Sequence, residues 1–439
     1  MDFDVLIAGG GPAGIAASIA AARNGARTLL VERYGCVGGA FTNGMHLTPV
    51  GFEPFKFWAM PTDPATWAVQ GIAREVHDRM VAEGAVQKPV WDPETFKLLA
   101  DDMLSEAGVQ VAYHATAAGV LMESGRVAGV SVATKRGLEH LRARVTVDCT
   151  GDGDLFAWAG GAFEKGRPED GKPQPMTLST VFGRVKLPYA EDATYAQMMA
   201  LSPAIVGPAL TEGVARGAIP PVFPGIMFPR VVRGGGILRD QVWCRLIQFW
   251  GDPVDPADVS RAESEARRSV RKVLDFLRAE VPGFEEAVLL QTAIQVWPRE
   301  SRRLTGLATL TEQDVRTNAK YDDAIARGTC FLDLHPRQPD ERPGQPIQET
   351  AETMFFDDID YDIRYGCLVP EAVEGLLVAG RCISATHVAQ SSSRMQATCM
   401  ALGQAAGAAA AVASASGKEP RELDPVVLRR LLRAQGAAL

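Results

Sequence analysis

Apolar residues along this chain fall into short unbroken runs and helical stripes, and most of the expected elements follow from the two. Residues 5–8 and 29–31 are apolar without alternation, as strands buried on both faces require, and Val145–Cys149 reads as a further buried strand. Between the first two, residues 13–23 form an alanine-rich segment opened by Pro12, a residue suited to the first helical turn. Helical spacing recurs over 69–83 and over Pro93–Glu106, the second with Asp92 as N-cap and Gly108 as its stop. Residues 109–113, 118–122, 127–134 and 138–147 read as short strands, with turns at Ser124-Gly125 and Arg136-Gly137, and predict a β-meander.

The middle of the chain is less regular. It predicts a strand over 176–184, a weak helix over 189–217, a Pro- and Gly-rich stretch over 219–236 and a strand over 241–250. Pro256–Glu280, capped by Asp255, is strongly amphipathic, with Val270, Val273, Leu274 and Leu277 on one face. A further strand is expected over 287–297 and a charged linking loop over 335–362. Residues 375–380 (GLLVAG) then repeat the strand-to-glycine pattern of the N-terminus. A serine-rich turn leads from there into a helix over 395–414, and a short helix, Pro425–Ala434, follows. The expected organisation is a first unit over 1–155, an insertion over 156–365, a return segment over 366–417 and a C-terminal helix within 418–439.

Glycine placement gives these elements chemical meaning. Gly9, Gly11 and Gly14 stand in G-x-G-x-x-G spacing directly after the first strand: one for a tight turn, one for close approach to a pyrophosphate, one for helix-on-strand packing. The helix that follows points its free N–H groups at the phosphates, and Glu32, ending the second strand, is placed to accept from ribose hydroxyls. Gly38 and Gly39 would let backbone approach a further part of a long ligand. Cys149-Thr150-Gly151-Asp152 and Gly380-Arg381-Cys382 end two more strands, and in an open parallel sheet such ends gather at the ligand crevice. Three glycine-bearing strand ends spread over the chain suit a flavin dinucleotide better than a nicotinamide one.

Composition narrows the setting. The net charge of −8 argues against nucleic acid as a partner. The seven cysteines have no C-x-x-C pair, which argues for free thiols, and the absence of an evident leader adds an expectation of a cytoplasmic protein. Residues 399–415 are apolar but broken by glycines and Gln404, which fits a buried helix better than a membrane span.

On GGGPAG (9–14), Glu32, GGAFT (38–42), DCTGDGD (148–154), RESRRLTG (299–306) and residues 376–407, the chain resembles the FAD-dependent oxidoreductases of the glutathione-reductase-like flavoprotein superfamily. In plan it is similar to fumarate reductase flavoproteins and thiazole-synthase-like proteins. The resemblance implies an α/β fold: a Rossmann-like FAD-binding domain of parallel sheet plus meander, with an inserted α+β substrate domain. It implies Gly9, Gly11, Pro12, Ala13 and Gly14 at the pyrophosphate, and Glu32, with Arg33 beside it, at the adenosine ribose. Gly38, Gly39, Ala40 and Thr42 would lie near the ribityl chain and ring, and backbone at Thr116 or Ala117 near the adenine. Thr150, Gly151 and Asp152 would line the nucleotide, Gly380 and Arg381 would approach the pyrophosphate and ribityl, and Arg394, Met395 and Ala397 would flank the ring.

For the reaction, His387 is the first candidate acid/base, in the loop feeding the last long helix; His335 is the second. Arg299, Glu300, Arg302 and Arg303 admit two readings, a clamp for a substrate carboxylate or an ion-pair network at the domain junction. Arg394 is the arginine expected beside the ring. His46, Phe52, Phe55, Phe57 and Trp58 are candidates for a pocket wall or for core packing. The expected activity is hydride transfer between flavin N5 and a small polar molecule, an alcohol, an amine or an activated C–C bond, with the electron acceptor open. A flavin monooxygenase, or an electron-transfer subunit of a larger complex, is the alternative. No metal site is expected, and a homo-oligomer stays open.

Overall fold

Five strands lie parallel at the centre of the computed structural model, which describes residues 2–52, 64–87, 89–222, 228–335 and 358–439. Their order is Gln110–Ala112, Thr28–Val31, Phe3–Ala8, Gly137–Asp148 and Leu376–Val378. Val5, Leu6, Ile7 and Ala8 are fully buried, as their unbroken apolar run requires. The C-terminal return strand therefore pairs beside a strand that arrives more than two hundred residues earlier in the chain, and both deliver their loops to one edge of the sheet.

Gly137–Asp148 joins two layers. Its first half pairs antiparallel with Arg126–Thr134, which in turn pairs with Thr116–Glu123; its second half runs parallel with Phe3–Ala8. Two sequence expectations change here. Residues 138–147 and 145–149 are one continuous strand, not two. Residues 109–113 belong to the parallel sheet, not the meander, because Pro93–Glu106 precedes them and returns the chain to the edge beside Thr28–Val31.

The second sheet carries Arg230–Arg233, Gly236–Phe249, Met176–Gly183 and Val288–Thr292 in that order. Helix Pro256–Glu280 covers it through Val270, Val273, Leu274, Phe276 and Leu277, all buried. The expected strand over 287–297 is broken: Val288–Thr292 and Trp297–Pro298 pair separately with Met176–Gly183. The expected loop over 335–362 lies mostly outside the described residues, but its end is a strand, Tyr361–Arg364, paired with Ala324–Gly328.

The last long helix, Gln396–Ser416, lies against the first, Pro12–Arg23. A Cβ on Gly403 would sit 2.1 Å from the Ala13 carbonyl oxygen, and one on Gly407 2.0 Å from that of Ala17, so the two backbones touch. By length and composition this helix could cross a membrane, yet 89% of its apolar window is buried inside the molecule. The serine-rich stretch before it is not a turn but a helix of its own, His387–Ser393, capped by the Thr386 hydroxyl.

Candidate active site

Glycines build one end of the site. Gly9 has φ +99°, and a Cβ there would strike the Cys149 carbonyl oxygen at 2.5 Å. A Cβ on Gly14 would strike the Gly9 carbonyl oxygen at 1.8 Å. Gly11 differs: a Cβ there meets no protein atom within 4 Å. Sterics inside the chain thus demand the first and third glycines, whereas the second faces open space, where a ligand's pyrophosphate would lie. Gly39 closes over that space with its added Cβ 3.0 Å from the Gly11 Cα, Gly38 N donates to the Gly10 carbonyl (2.7 Å), and Gly380 faces Ala13. Segments remote in sequence thus meet at the start of the Pro12–Arg23 helix, and the cradle fits the pyrophosphate of FAD.

Glu32 is 5% exposed and accepts from Gly10 N (2.7 Å) and Tyr34 N (2.8 Å); burial raises its pKa. Its backbone pairs with Ala112 and Ala115, which sets the start of the Thr116–Glu123 strand, and hence Ala117, beside it. Arg33 instead reaches Gln295 Oε1 (3.0 Å) and lies over Tyr34. Thr42 is turned into its own loop, donating to the Val37 carbonyl (2.8 Å), and the Ala40 carbonyl accepts from His46 N (2.9 Å).

The loop after Gly137–Asp148 is organised by Asp148, which the sequence reading passed over. Fully buried, it accepts from Thr150 N (3.0 Å), Thr150 Oγ1 (2.7 Å), Leu155 N (2.8 Å) and Phe156 N (3.2 Å), and burial pushes its pKa up to about 6. Asp152 pairs with Arg381, whose guanidinium packs under Gly151 and also donates to the Pro298 carbonyl (2.8 Å). Two of the expected nucleotide contacts thus hold each other.

A second group centres on Glu300, which has no exposed surface. Its carboxylate takes His387 Nδ1 at 2.9 Å, the Arg303 guanidinium and Gln174 N at 3.0 Å. His387 is therefore not in a loop, as expected, but is the first residue of the helix His387–Ser393, with its ring fixed by a carboxylate. Arg303 also donates to the Ala385 carbonyl (2.9 Å), so it positions Glu300 and the chain before His387.

The third group lies at the start of the last helix. Arg394 donates to the Asp333 carboxylate (2.7 Å), and His335 Nε2 lies 3.4 Å from the same carboxylate. Burial and Arg299 push the His335 pKa down to about 3. His46 is half-buried between Trp297 and Trp243; desolvation of the ring and the charges of Arg245, Arg299 and Arg394 hold its pKa well below the ordinary value. Met395 caps the Gln396–Ser416 helix, but Ala397 N donates to the Val50 carbonyl (3.2 Å), so residues 46–52 cover the helix end that the sequence reading aimed at the ring. Phe52 packs against Trp67, His77 and Trp91 in the core; Phe55, Phe57 and Trp58 lie outside the described residues. All seven cysteines are free, and Cys36 Sγ lies 3.3 Å from Asn43 Oδ1.

Parts of the chain are similar in sequence to curated proteins. It is 29% identical over 205 residues to digeranylgeranylglycerophospholipid reductase 2 of Methanopyrus kandleri, an alignment covering 44% of this chain and 48% of that one. It is 25% identical over 178 residues to digeranylgeranylglycerophospholipid reductase of Thermoplasma volcanium, covering 36% and 42%. The alignments thus span about half the length, or less, of the curated relatives. Among solved structures, a geranylgeranyl bacteriochlorophyll reductase-like protein of Thermoplasma acidophilum aligns at 13% identity over 98% of this chain and 82% of that one, with a TM-score of 0.43. The model of the family described as FAD dependent oxidoreductase matches residues 4–432. With a glycine cradle built as FAD demands and a family match over nearly its whole length, the chain belongs to the FAD dependent oxidoreductases, enzymes that use FAD as cofactor.

Proposed function

We propose that this enzyme moves a hydride between a small polar organic substrate and FAD, with His387 carrying the accompanying proton. The observation behind this reading is the Glu300–His387 pair. A fully buried carboxylate 2.9 Å from Nδ1 keeps the proton on that nitrogen and leaves Nε2 as the free base. Among the described residues nothing hydrogen-bonds His387 Nε2. Arg303 and Gln174 N hold the carboxylate in turn, so the imidazole is oriented before any substrate arrives.

Bound FAD supplies the two-electron acceptor or donor; the chain supplies place and proton. Gly11, Gly39 and Gly380 would admit the pyrophosphate and Glu32 the ribose, and Arg381 with Asp152 fixes the loop between them. His387 takes a proton from a substrate O–H, N–H or C–H in the oxidative direction, or returns one when a C–C double bond is reduced. The names of the curated relatives speak for the reductive direction. The arginines and histidines gathered by Gln396 speak for a substrate smaller and more polar than a geranylgeranyl chain. The test is the His387→Asn variant: flavin content is retained, while the flavin band bleaches at least about a hundredfold more slowly with a reducing substrate. Bleaching at the wild-type rate would remove the proton role.

A further inference from the structure

The three arginines of Arg299–Arg303 stand in different electrostatic positions. Arg302 pairs with Asp154 (2.9 Å), and Arg303 with Glu300 and with Glu164 (3.3 Å). Arg299 is 2% exposed; its Cζ lies 4.7 Å from the centre of the Trp297 ring system, and Nη1 donates to the Pro175 carbonyl (2.9 Å) and Thr177 Oγ1. No carboxylate of the described residues lies within ion-pair distance of it, and its Nε is buried without a partner. Arg394 is tied to Asp333 through Nη2, but its Nε is likewise buried and unpartnered.

His46 completes the set. A guanidinium only donates, so the contact of Arg245 Nη1 with His46 Nε2 (3.0 Å) puts the imidazole proton on Nδ1. That Nδ1–H is buried and unpartnered too, and the ring lies 5.0 Å from Trp297, the indole that Arg299 covers from its own side. Beside them Gln396 gives its Nε2 to the His46 carbonyl (3.3 Å) and leaves Oε1 buried and unpartnered. Unpartnered buried donors are expensive, and an unmatched buried charge more so. Asp333 does not settle the account, because Arg394 and His335 already share it.

We propose that Arg299, Arg394 and His46 form the binding site for a carboxylate of the substrate, with Gln396 Oε1 receiving a hydroxyl or ammonium next to that carboxylate. As far as the ligand is the molecule oxidised or reduced, this rests on the proposed hydride transfer. One arginine lacks a counter-charge, and a carboxylate brings one negative charge, whereas a phosphate brings closer to two. The guanidinium fork of Arg299 also matches a carboxylate in plane.

The test is calorimetric titration of the flavin-loaded protein with acetate, lactate and inorganic phosphate. A carboxylate is expected to bind, and Arg299→Met and Arg394→Met are each expected to weaken it at least about tenfold with flavin content unchanged. Arg299→Lys keeps the charge without the fork and serves where Arg299→Met fails to fold; it is expected to bind more weakly than wild type. Absence of carboxylate binding to the wild type, binding of phosphate alone, or equal binding by the Arg299 variants would overturn the assignment. His387→Asn is expected to bind the carboxylate as wild type does. Wild-type turnover by that variant, with carboxylate binding intact, would therefore sink the proton role and leave this site standing.

Discussion

The glycine cradle and the arginine cluster lie in one molecule but are assembled on different principles. At the cradle, contacts are made by the absence of side chains: Gly9 on Cys149, Gly14 on Gly9, Gly39 on Gly11, and Gly403 and Gly407 on Ala13 and Ala17. The charged groups there are tied off within the chain: Glu32 accepts from two backbone N–H groups, Asp148 accepts from its own loop, and Asp152 pairs with Arg381. Around Arg299, large polar side chains from His46, Arg245, Asp333, His335, Arg394 and Gln396 meet, with buried donors left over. The cradle would hold by shape a cofactor common to many chemistries. The proposed carboxylate site would carry chemical discrimination, because buried polar groups penalise any ligand that leaves them unpaired.

Substitutions sharpen this contrast, and the largest effect is expected at the cradle. Gly11→Val places a branched side chain in the open space where the pyrophosphate would lie; the purified protein should be colourless, and its visible spectrum checks this. His387→Asn follows, with the bleaching rate down by about two orders of magnitude or more and flavin intact. Arg303→Met leaves Glu300 buried without its main counter-charge. A loss of roughly 3–5 kcal/mol in stability is expected, read from denaturant unfolding, because the orphaned carboxylate stays in the interior.

The smallest effect is a pH dependence. The folded-state pKa of His335 is lowered to about 3 from an ordinary 6.5, so His335 contributes stability that is present above 6.5 and is lost as pH falls from 6.5 towards 3. The loss approaches roughly 1 kcal/mol per pH unit inside that window. Unfolding at pH 7 and pH 5 should show a smaller difference in His335→Gln than in the wild type. An unchanged difference would mean that His335 does not carry the effect.

The two regions also differ in how far the amino-acid sequence exposes them. The fingerprint, Glu32 and the Asp92 and Asp255 caps are local spacings, and each stands where its spacing puts it. The Gly403/Gly407 contact with Ala13/Ala17 was written in sequence as two runs of small residues four apart, but nothing local says that those runs face each other. The charged run at 299–303 offered no such order. Its arginines diverge to separate partners, so one stretch that reads as a single cluster holds an ion-pair network and an unmatched arginine. The partner of His387 lies 87 residues away, and that of Arg394 lies 61 residues away. Asp148 could have been noticed as the acid at the end of a buried run, since only a capped loop tolerates one there.

The most direct measurement is an anaerobic titration of the flavin-loaded protein with small carboxylic acids bearing an adjacent hydroxyl or amine, followed through the flavin absorbance. The account predicts bleaching by at least one of them in the wild type, abolished in Arg299→Met and slowed at least about a hundredfold in His387→Asn. Bleaching that proceeds equally in all three proteins would contradict it.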